Sequence, residues 1–368
     1  MPIFISMIVW ICFMRMLYSN RIKAYRLSRG VIGYKVNTSV SILTMGYIVF
    51  WIGMSSYMAD SSAYIRLFTE APTDLSQISE QLSSESKSVL WNISVIVFKN
   101  LVSDNYQVWL MTLNILMGFS VSHSYRKYSE AFFFSMLLFV LNCDFSWMFN
   151  GIRQFCCVAA LMLALPWVIK GETKKYMILL AVLSQIHFSE LVMIPIYFVV
   201  RQQPWSKLVL LSILGVILIC AFITPFMDGM HRALENTAYS GVNLMSENDD
   251  GAHPVRVLIL SVPAILAWFC RKQIAAENSN VLNICINFSV ISALLMLVAV
   301  FSSGIMMGRL AIYCSVYSAI LLPMLINRWP NKGQRKLIKT GAVICYSYYF
   351  YITMSGQYYY STLTGWID

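Results

Sequence analysis

Charge is scarce in this chain: Asp, Glu, Lys and Arg make up 12% of its 368 residues, against 58% hydrophobic ones. A soluble globule must face water over its whole surface, and the polar residues for that are missing. Apolar–polar alternation in segments of about ten residues is missing too, which excludes an outer-membrane β-barrel. There is no G-x-x-x-x-G-K-[ST], no G-x-G-x-x-G after a strand, no H-E-x-x-H and no G-x-S-x-G, so nucleotide, dinucleotide, zinc-protease and nucleophile-elbow chemistry lack their signatures. The nine cysteines include no C-x-x-C pair, only the adjacent Cys156 and Cys157, and most fall inside apolar runs. They read as small core hydrophobes, not a disulfide frame or a metal site. Neither metal nor cofactor is expected. No basic stretch precedes the first apolar run, Ile3–Met14, and the positive cluster follows it, which argues against a cleaved signal peptide.

Apolar length is what the chain has instead. Continuous runs of about 17 to 21 residues match a helix crossing about 30 Å of hydrocarbon. They predict spans at 2–18, 39–58, 106–123, 128–145, 152–170, 206–226, 255–270, 281–301, 310–326 and 337–355. Mean hydropathy is +0.64. The fold class is therefore all-α, a polytopic integral membrane protein of about ten spanning helices. No linker or composition break divides residues 1–368, which predicts one membrane domain.

A formal net charge of +10 could suggest a polyanionic partner, but its placement argues for orientation in a bilayer. Of 27 Lys and Arg, 19 fall in six short segments. These hold Arg21, Lys23, Arg26, Arg29 and Lys35; Arg126 and Lys127; Lys170, Lys174 and Lys175; Arg201 and Lys207; Arg271 and Lys272; and Arg328, Lys332, Arg335, Lys336 and Lys339. Among the acids only Glu130, Glu172 and Glu277 share these segments. The positive-inside rule makes them inner loops, and no nucleic acid is expected. Alternation then places the N-terminus and 59–105, 143–151, 227–254 and 302–309 outside. Glu70, Asp74, Glu80 and Glu85 in the first long loop, and Asp228, Glu235, Glu247, Asp249 and Asp250 in the second, make both read as solvated faces.

One run resists alternation. Residues 176–200 are apolar, yet Lys174 and Lys175 precede them and Arg201 and Lys207 follow, so both flanks belong inside. Two crossings need about 40 residues, which leaves a re-entrant hairpin of two half-helices with its apex near Gln185–Glu190. A single tilted span, with every later loop inverted, is the alternative.

Ionisable residues at bilayer depth are costly and mark function by default. Asp60 leaves the second span with Tyr64 and Phe68 on one helical face, the spacing of a short helix on the membrane surface; it is a solvated boundary residue or an acid at the mouth of an outward cavity. Arg153 opens the fifth span after Asn150 and Gly151, with Gln154 beside it. Its planar fork at a helix N-terminus suits phosphate oxygens, and snorkelling is the bland reading. His187 and Glu190 lie in the middle of the longest run, three apart, as a structural pair or as proton-handling groups. Arg309, after Gly308 and four before Tyr313, repeats the outward arginine at a helix start. Arg232 and Arg256, with His231 and His253, lie in or beside the second outer loop and are weaker candidates, because such loops are usually simply wet.

In order along the chain, Asp60 with Tyr64 and Phe68, Asn150 to Arg153 with Gln154, Ile186-His187-Phe188-Ser189, and Arg309 with Tyr313 resemble the EpsG-like branch of Wzy polysaccharide polymerases. These are bacterial inner-membrane proteins that join lipid-linked oligosaccharide repeat units. The resemblance covers roughly residues 39 to 326, and Glu190 departs from it where a small or apolar residue is the pattern. It implies a GT-C-like, metal-independent, inverting glycosyl transfer at the periplasmic face. The donor would be a glycan on undecaprenyl pyrophosphate and the acceptor the next lipid-linked repeat unit, with a chain-length regulator as a further candidate partner. In that reading Arg153 and Arg309 share one outward pocket with His187 and grip the pyrophosphate. His187 handles a proton or orients phosphate, and Asp60 is the base or a carboxylate that positions arginine. Tyr64, Asn150, Gln154, Glu190, Tyr313, Arg256 and Arg232 contact substrate. An O-antigen ligase or another lipid-linked-sugar transferase fits the same topology, although a ligase usually has one larger outer loop. A flippase or transporter would also bury arginines and break a helix, but no internal repeat is evident.

Overall fold

The computed structural model describes residues 1–19, 23–26, 32–78, 88–234, 252–277, 279–304, 306–361 and 364–367. Arg21, Arg29, Glu80, Glu85, Glu235, Glu247, Asp249 and Asp250, which entered the charge count, lie outside the described residues. The protein is all-α apart from two small ribbons. It forms two compact units: Met1–Pro166 with Lys174–Leu191 and Tyr346–Asp368, and Trp167–Thr173 with Val192–Cys345.

In the first unit α1 (Pro2–Leu17) leads into an antiparallel ribbon of β1 (Lys23–Arg26) and β2 (Ile32–Lys35), then α2 (Thr38–Gly53), α3 (Ser61–Glu70), α4 (Val89–Leu101), α5 (Tyr106–Tyr128), α6 (Phe132–Leu141) and α7 (Ile152–Leu163). The next helices are α8 (Leu165–Lys170) and α9 (Thr173–Ser184). Helices α2 and α7 pack along α5, and α1 packs on α6. Over the end of α5 sits an aromatic layer: Phe68 of α3 stacks on Trp109 at 5.0 Å, and Trp91 of α4 meets Trp109 at 5.7 Å and Tyr64 at 5.8 Å. Lys99 Nζ donates to the carbonyls of Thr69 and Ala71 at 2.7 and 2.6 Å, closing the C-terminus of α3, where a cation also complements the helix dipole.

The second unit contains α10 (Met193–Val200), α11 (Lys207–Ala221), α12 (Ile223–Leu234), α13 (Pro254–Phe269), α14 (Arg271–Ala275), α15 (Asn280–Val300), α16 (Met306–Leu310), α17 (Ile312–Ser315) and α18 (Ser318–Arg328). Helix α19 (Lys332–Met354) follows, and β3 (Tyr359–Ser361) pairs with β4 (Gly365–Ile367) in the first unit. Buried α15 is the centre, with α10, α11, α13 and α16 to α18 packed on it. Phe288 of α15 stacks on Tyr317 at 4.2 Å. Arg328 closes α18 by a two-pronged pair to Glu277, Nε–Oε2 2.6 Å and Nη2–Oε1 2.5 Å, with both side chains at most 10% exposed.

The membrane helices are more broken than hydropathy implies. Among the described residues, α15 alone is long and apolar enough to cross a bilayer, and up to three spans result if two bent pairs are each counted as one. Those pairs are α11 with α12, bent by 96°, and Met307–Ser315 with Ser318–Arg328, bent by 53°. The first bend has a local cause: Pro225 has no N–H for the Ala221 carbonyl and its ring crowds it, and α11 ends at Ala221. Seven further apolar helices are 10 to 17 residues long. Within 59–105 the described residues form α3, the short helix expected from the Asp60, Tyr64 and Phe68 spacing, and α4, held by buried Tyr64, Phe68 and Trp91.

Residues 176–200 do break near the expected apex: α9 ends at Ser184, Gln185–His187 are non-helical, and a 3-10 turn Phe188–Val192 leads into α10. The flanks return to each other. Thr173 Oγ1 and Tyr197 Oη are 2.7 Å apart, and the Arg201 guanidinium lies against Gly171, where a Cβ would strike it. Segments assigned to one side by charge counting also meet. Tyr34 N–H bonds the Glu130 carbonyl at 2.8 Å, and Ala252 N–H bonds the Ala299 carbonyl at 2.9 Å where α13 begins and α15 ends.

Candidate functional site

The bend between α2 and α3 builds the site's first wall. Tyr57 and Ala59 both take left-handed backbone, φ 57° and 43°, which costs a residue with a Cβ about 1 to 2 kcal/mol. Flanking bonds hold the bend: Ser56 N–H to the Tyr360 carbonyl at 2.9 Å, Ser61 N–H to the Met58 carbonyl at 2.8 Å, and Ser61 Oγ to the Phe149 carbonyl at 3.3 Å. Asp60, placed by this bend, accepts the Gly151 N–H on Oδ2 at 3.0 Å. Gly151 is the N-cap of α7 at φ 80°, a backbone that favours glycine, and a Cβ there would stand 3.1 Å from the Trp147 ring, a tight approach. A carboxylate at that N-terminus also meets the positive end of the helix.

Arg153 follows in the first turn of α7. Its backbone N–H points at Tyr64 Oη, 3.4 Å away, its guanidinium sits 5.9 Å from the Tyr64 ring centroid, and Nη1 donates to Ser88 Oγ at 3.1 Å. Ser88 occupies the N-cap of α4 but does not cap it with its side chain; its hydroxyl serves the arginine instead. Tyr64 is buried, and burial raises its phenol above the ordinary value of 10.0 even with Arg153 beside it, so it stays a neutral O–H group at physiological pH. Gln154 is buried on the same turn, and Asn150 is half-buried just before it.

The broken helix reaches the same wall: Leu90 N–H, two residues after Ser88, bonds the Gln185 carbonyl at 3.2 Å. His187 Nδ1 lies 2.7 Å from Ser189 Oγ, and Glu190 N–H bonds the His187 carbonyl at 3.1 Å. Glu190 is fully buried. Asp60, Tyr64, Arg153 and the His187–Glu190 turn thus belong to one unit, with the first three in a bonded cluster.

The remaining candidates belong to the other unit. Arg256, in the first turn of α13, lies beside the segment that carries Arg309: its Nη1 is 3.8 Å from where a Gly308 Cβ would stand. Both arginines are half-buried. Tyr313 is fully buried. Arg232 is exposed and donates to the Asp228 carbonyl of its own helix at 3.3 Å. His253 Nδ1 caps α13 by accepting the Val255 N–H at 3.2 Å. Among the described residues no three His, Cys, Asp or Glu side chains cluster as for a metal ion.

Sequence reasoning missed Ser88 and the positional role of Gly151. Ser88 stands in a serine-rich stretch with no periodic signal; its place just before the apolar run at Val89 was the one hint, as an N-cap. A family model for the EpsG family matches residues 38–364. No curated protein and no solved structure matches the chain.

Proposed function

We infer the function from one premise and one geometry: the chain belongs to the EpsG family, and Arg153 is held at a helix start among Asp60, Tyr64 and Ser88. The family is one of polysaccharide polymerase-like membrane proteins. We propose that this protein joins undecaprenyl-pyrophosphate-linked oligosaccharide repeat units at the periplasmic face of the bacterial inner membrane, by metal-independent inverting transfer on a GT-C-like scaffold.

The chemistry asks for two things. The pyrophosphate leaving group develops negative charge, which fixed guanidinium groups stabilise; the acceptor hydroxyl must be oriented and lose its proton. Arg153 suits the first task. Its backbone is anchored through Gly151 to Asp60, its side chain is steered by Ser88 and the Tyr64 face, and the first turn of α7 adds partial positive charge. Asp60 is then a positioning residue. His187, oriented by the contact of its Nδ1 with the Ser189 hydroxyl, would orient phosphate or take the proton. Arg256, beside Gly308 in the other unit, would with Arg309 suit a phosphate of a lipid-linked substrate.

The observation that carries this reading is the Arg153–Ser88–Tyr64 cluster at the start of α7 in an EpsG-family chain. The test is chain extension by purified protein in lipid, with lipid-linked repeat units and no added metal. Wild type extends, whereas Arg153→Ala, inserted and folded, loses about 100-fold or more in rate, as when one transition-state charge donor is removed. Undiminished extension by Arg153→Ala sinks the arginine role, and transport without extension by the wild type sinks the polymerase reading.

A further inference from the structure

A surface cavity of about 160 Å³ lies in the second unit, lined by Arg201, Gln202, Gln203, Asn280, Asn283 and apolar side chains. None of its lining residues belongs to the candidate functional site. Its polar groups are set in advance. Buried Asn287 donates from Nδ2 to the carbonyls of Val200 and Gln202 at 3.1 and 2.7 Å, fixing the turn after α10. Asn283 Nδ2 donates to Gln203 Oε1 at 3.0 Å, which orients that amide and leaves its NH2 as a donor. Gln202 spends its own NH2 on the Phe198 carbonyl at 3.0 Å.

Arg201 supplies the charge. Its guanidinium is 5.3 Å from the Tyr197 ring centroid and rests against Gly171, whose φ of 75° and missing side chain leave it that place. Among the described residues no carboxylate bonds Arg201, and none lines the cavity. Helix α15 begins at Asn280, so its first-turn N–H groups add partial positive charge. One unpaired guanidinium, uncommitted amide donors and no acid describe an anion site, and a compact oxyanion fits the volume.

The neighbourhood distinguishes the source of that anion. Ile194 and Phe198 of α10, and Leu208 and Leu211 of α11, are exposed beside the turn, an apolar surface on which acyl chains could lie. Exposed Lys170 and Lys207 flank the same end, and basic pockets between membrane helices on the inner side bind anionic head groups. We propose that this cavity binds the phosphodiester of an anionic phospholipid, with Arg201 as the main partner and Gln203 and Asn280 as hydrogen-bond donors.

The experiment uses delipidated full-length protein, titrated separately with phosphatidylglycerol micelles, phosphatidylcholine micelles and inorganic phosphate, and read by native mass spectrometry and by melting temperature. Phosphatidylglycerol should be retained and raise the melting temperature, with phosphatidylcholine weaker. Arg201→Ala should weaken retention about tenfold or more, the loss of a charge-assisted contact. A full thermal shift from inorganic phosphate, with no lipid retained, would overturn the lipid assignment and leave a free-phosphate site. Equal phosphatidylglycerol binding by folded Arg201→Ala and wild type overturns the site itself. If Arg201→Ala does not fold, the surface variants Asn280→Ala and Gln203→Leu decide: reduced retention in either supports the site, and wild-type retention in both refutes it.

Discussion

Substituting Asp60 by Asn separates two roles that a carboxylate could play. In the structure Asp60 accepts the Gly151 N–H at 3.0 Å and so anchors the turn that carries Arg153. An asparagine side chain keeps an acceptor oxygen there and loses only the charge. A hydrogen bond to a charged partner contributes about 1.5 to 3 kcal/mol and a neutral one about 0.5 to 1.5, so the difference is about 1 kcal/mol. Carried wholly into the barrier, that slows the reaction by roughly fivefold. A general base replaced by an amide instead loses about 100- to 10,000-fold. Initial rates of chain extension by purified wild type, Asp60→Asn and Asp60→Ala, at matched insertion and melting temperature, measure this directly. The positioning role predicts a small loss for Asn and a larger one for Ala, which leaves the Gly151 N–H without its acceptor. If Asn and Ala fall together by two orders of magnitude or more, Asp60 is the base and the anchoring argument is wrong.

Four further outcomes follow from the same structure. Gly151→Ala should lose about 1 kcal/mol or more of stability from its left-handed backbone alone, with further loss against Trp147, seen as a lower melting temperature and slower extension. Glu277→Ala strands buried Arg328 and should destabilise by about 3 to 5 kcal/mol, whereas the double variant Glu277→Gln, Arg328→Met should recover most of that, as thermal or denaturant unfolding would show. Burial pushes the Tyr359 phenol up to about 12 from 10.0; the unfolded chain ionises first, so this contribution is whole below pH 10 and is lost as pH rises from 10 to about 12, and Tyr359→Phe should flatten that part of the stability profile. A cysteine placed at Phe188 should react with a membrane-impermeant thiol reagent from outside; labelling from the inner side alone would defeat the re-entrant hairpin.

Much of the candidate site was legible because charge in an apolar sequence is conspicuous. Asp60, Arg153, His187 and Arg309 stand out against their neighbours whatever the fold does with them, and the i, i+4, i+8 spacing of Asp60, Tyr64 and Phe68 reports a helix face, which α3 realises with Tyr64 and Phe68 buried. The break at Gln185–His187 was readable from the basic flanks alone. Ser88 was not, because an uncharged side chain in a serine-rich stretch becomes functional only through the arginine that reaches it.

The sequence by itself determined that the chain is helical and that it belongs in a bilayer, since composition and run length are local properties that no packing can reverse. Only the tertiary structure decided where helices bend, that α3 and α4 form a packed aromatic layer over the end of α5, and that Asp60 serves Arg153 through the backbone of Gly151. Those outcomes depend on which distant backbone and side-chain groups meet, as when Asp60 reaches the Gly151 N–H or Arg153 reaches Ser88, and hydropathy carries no record of such meetings.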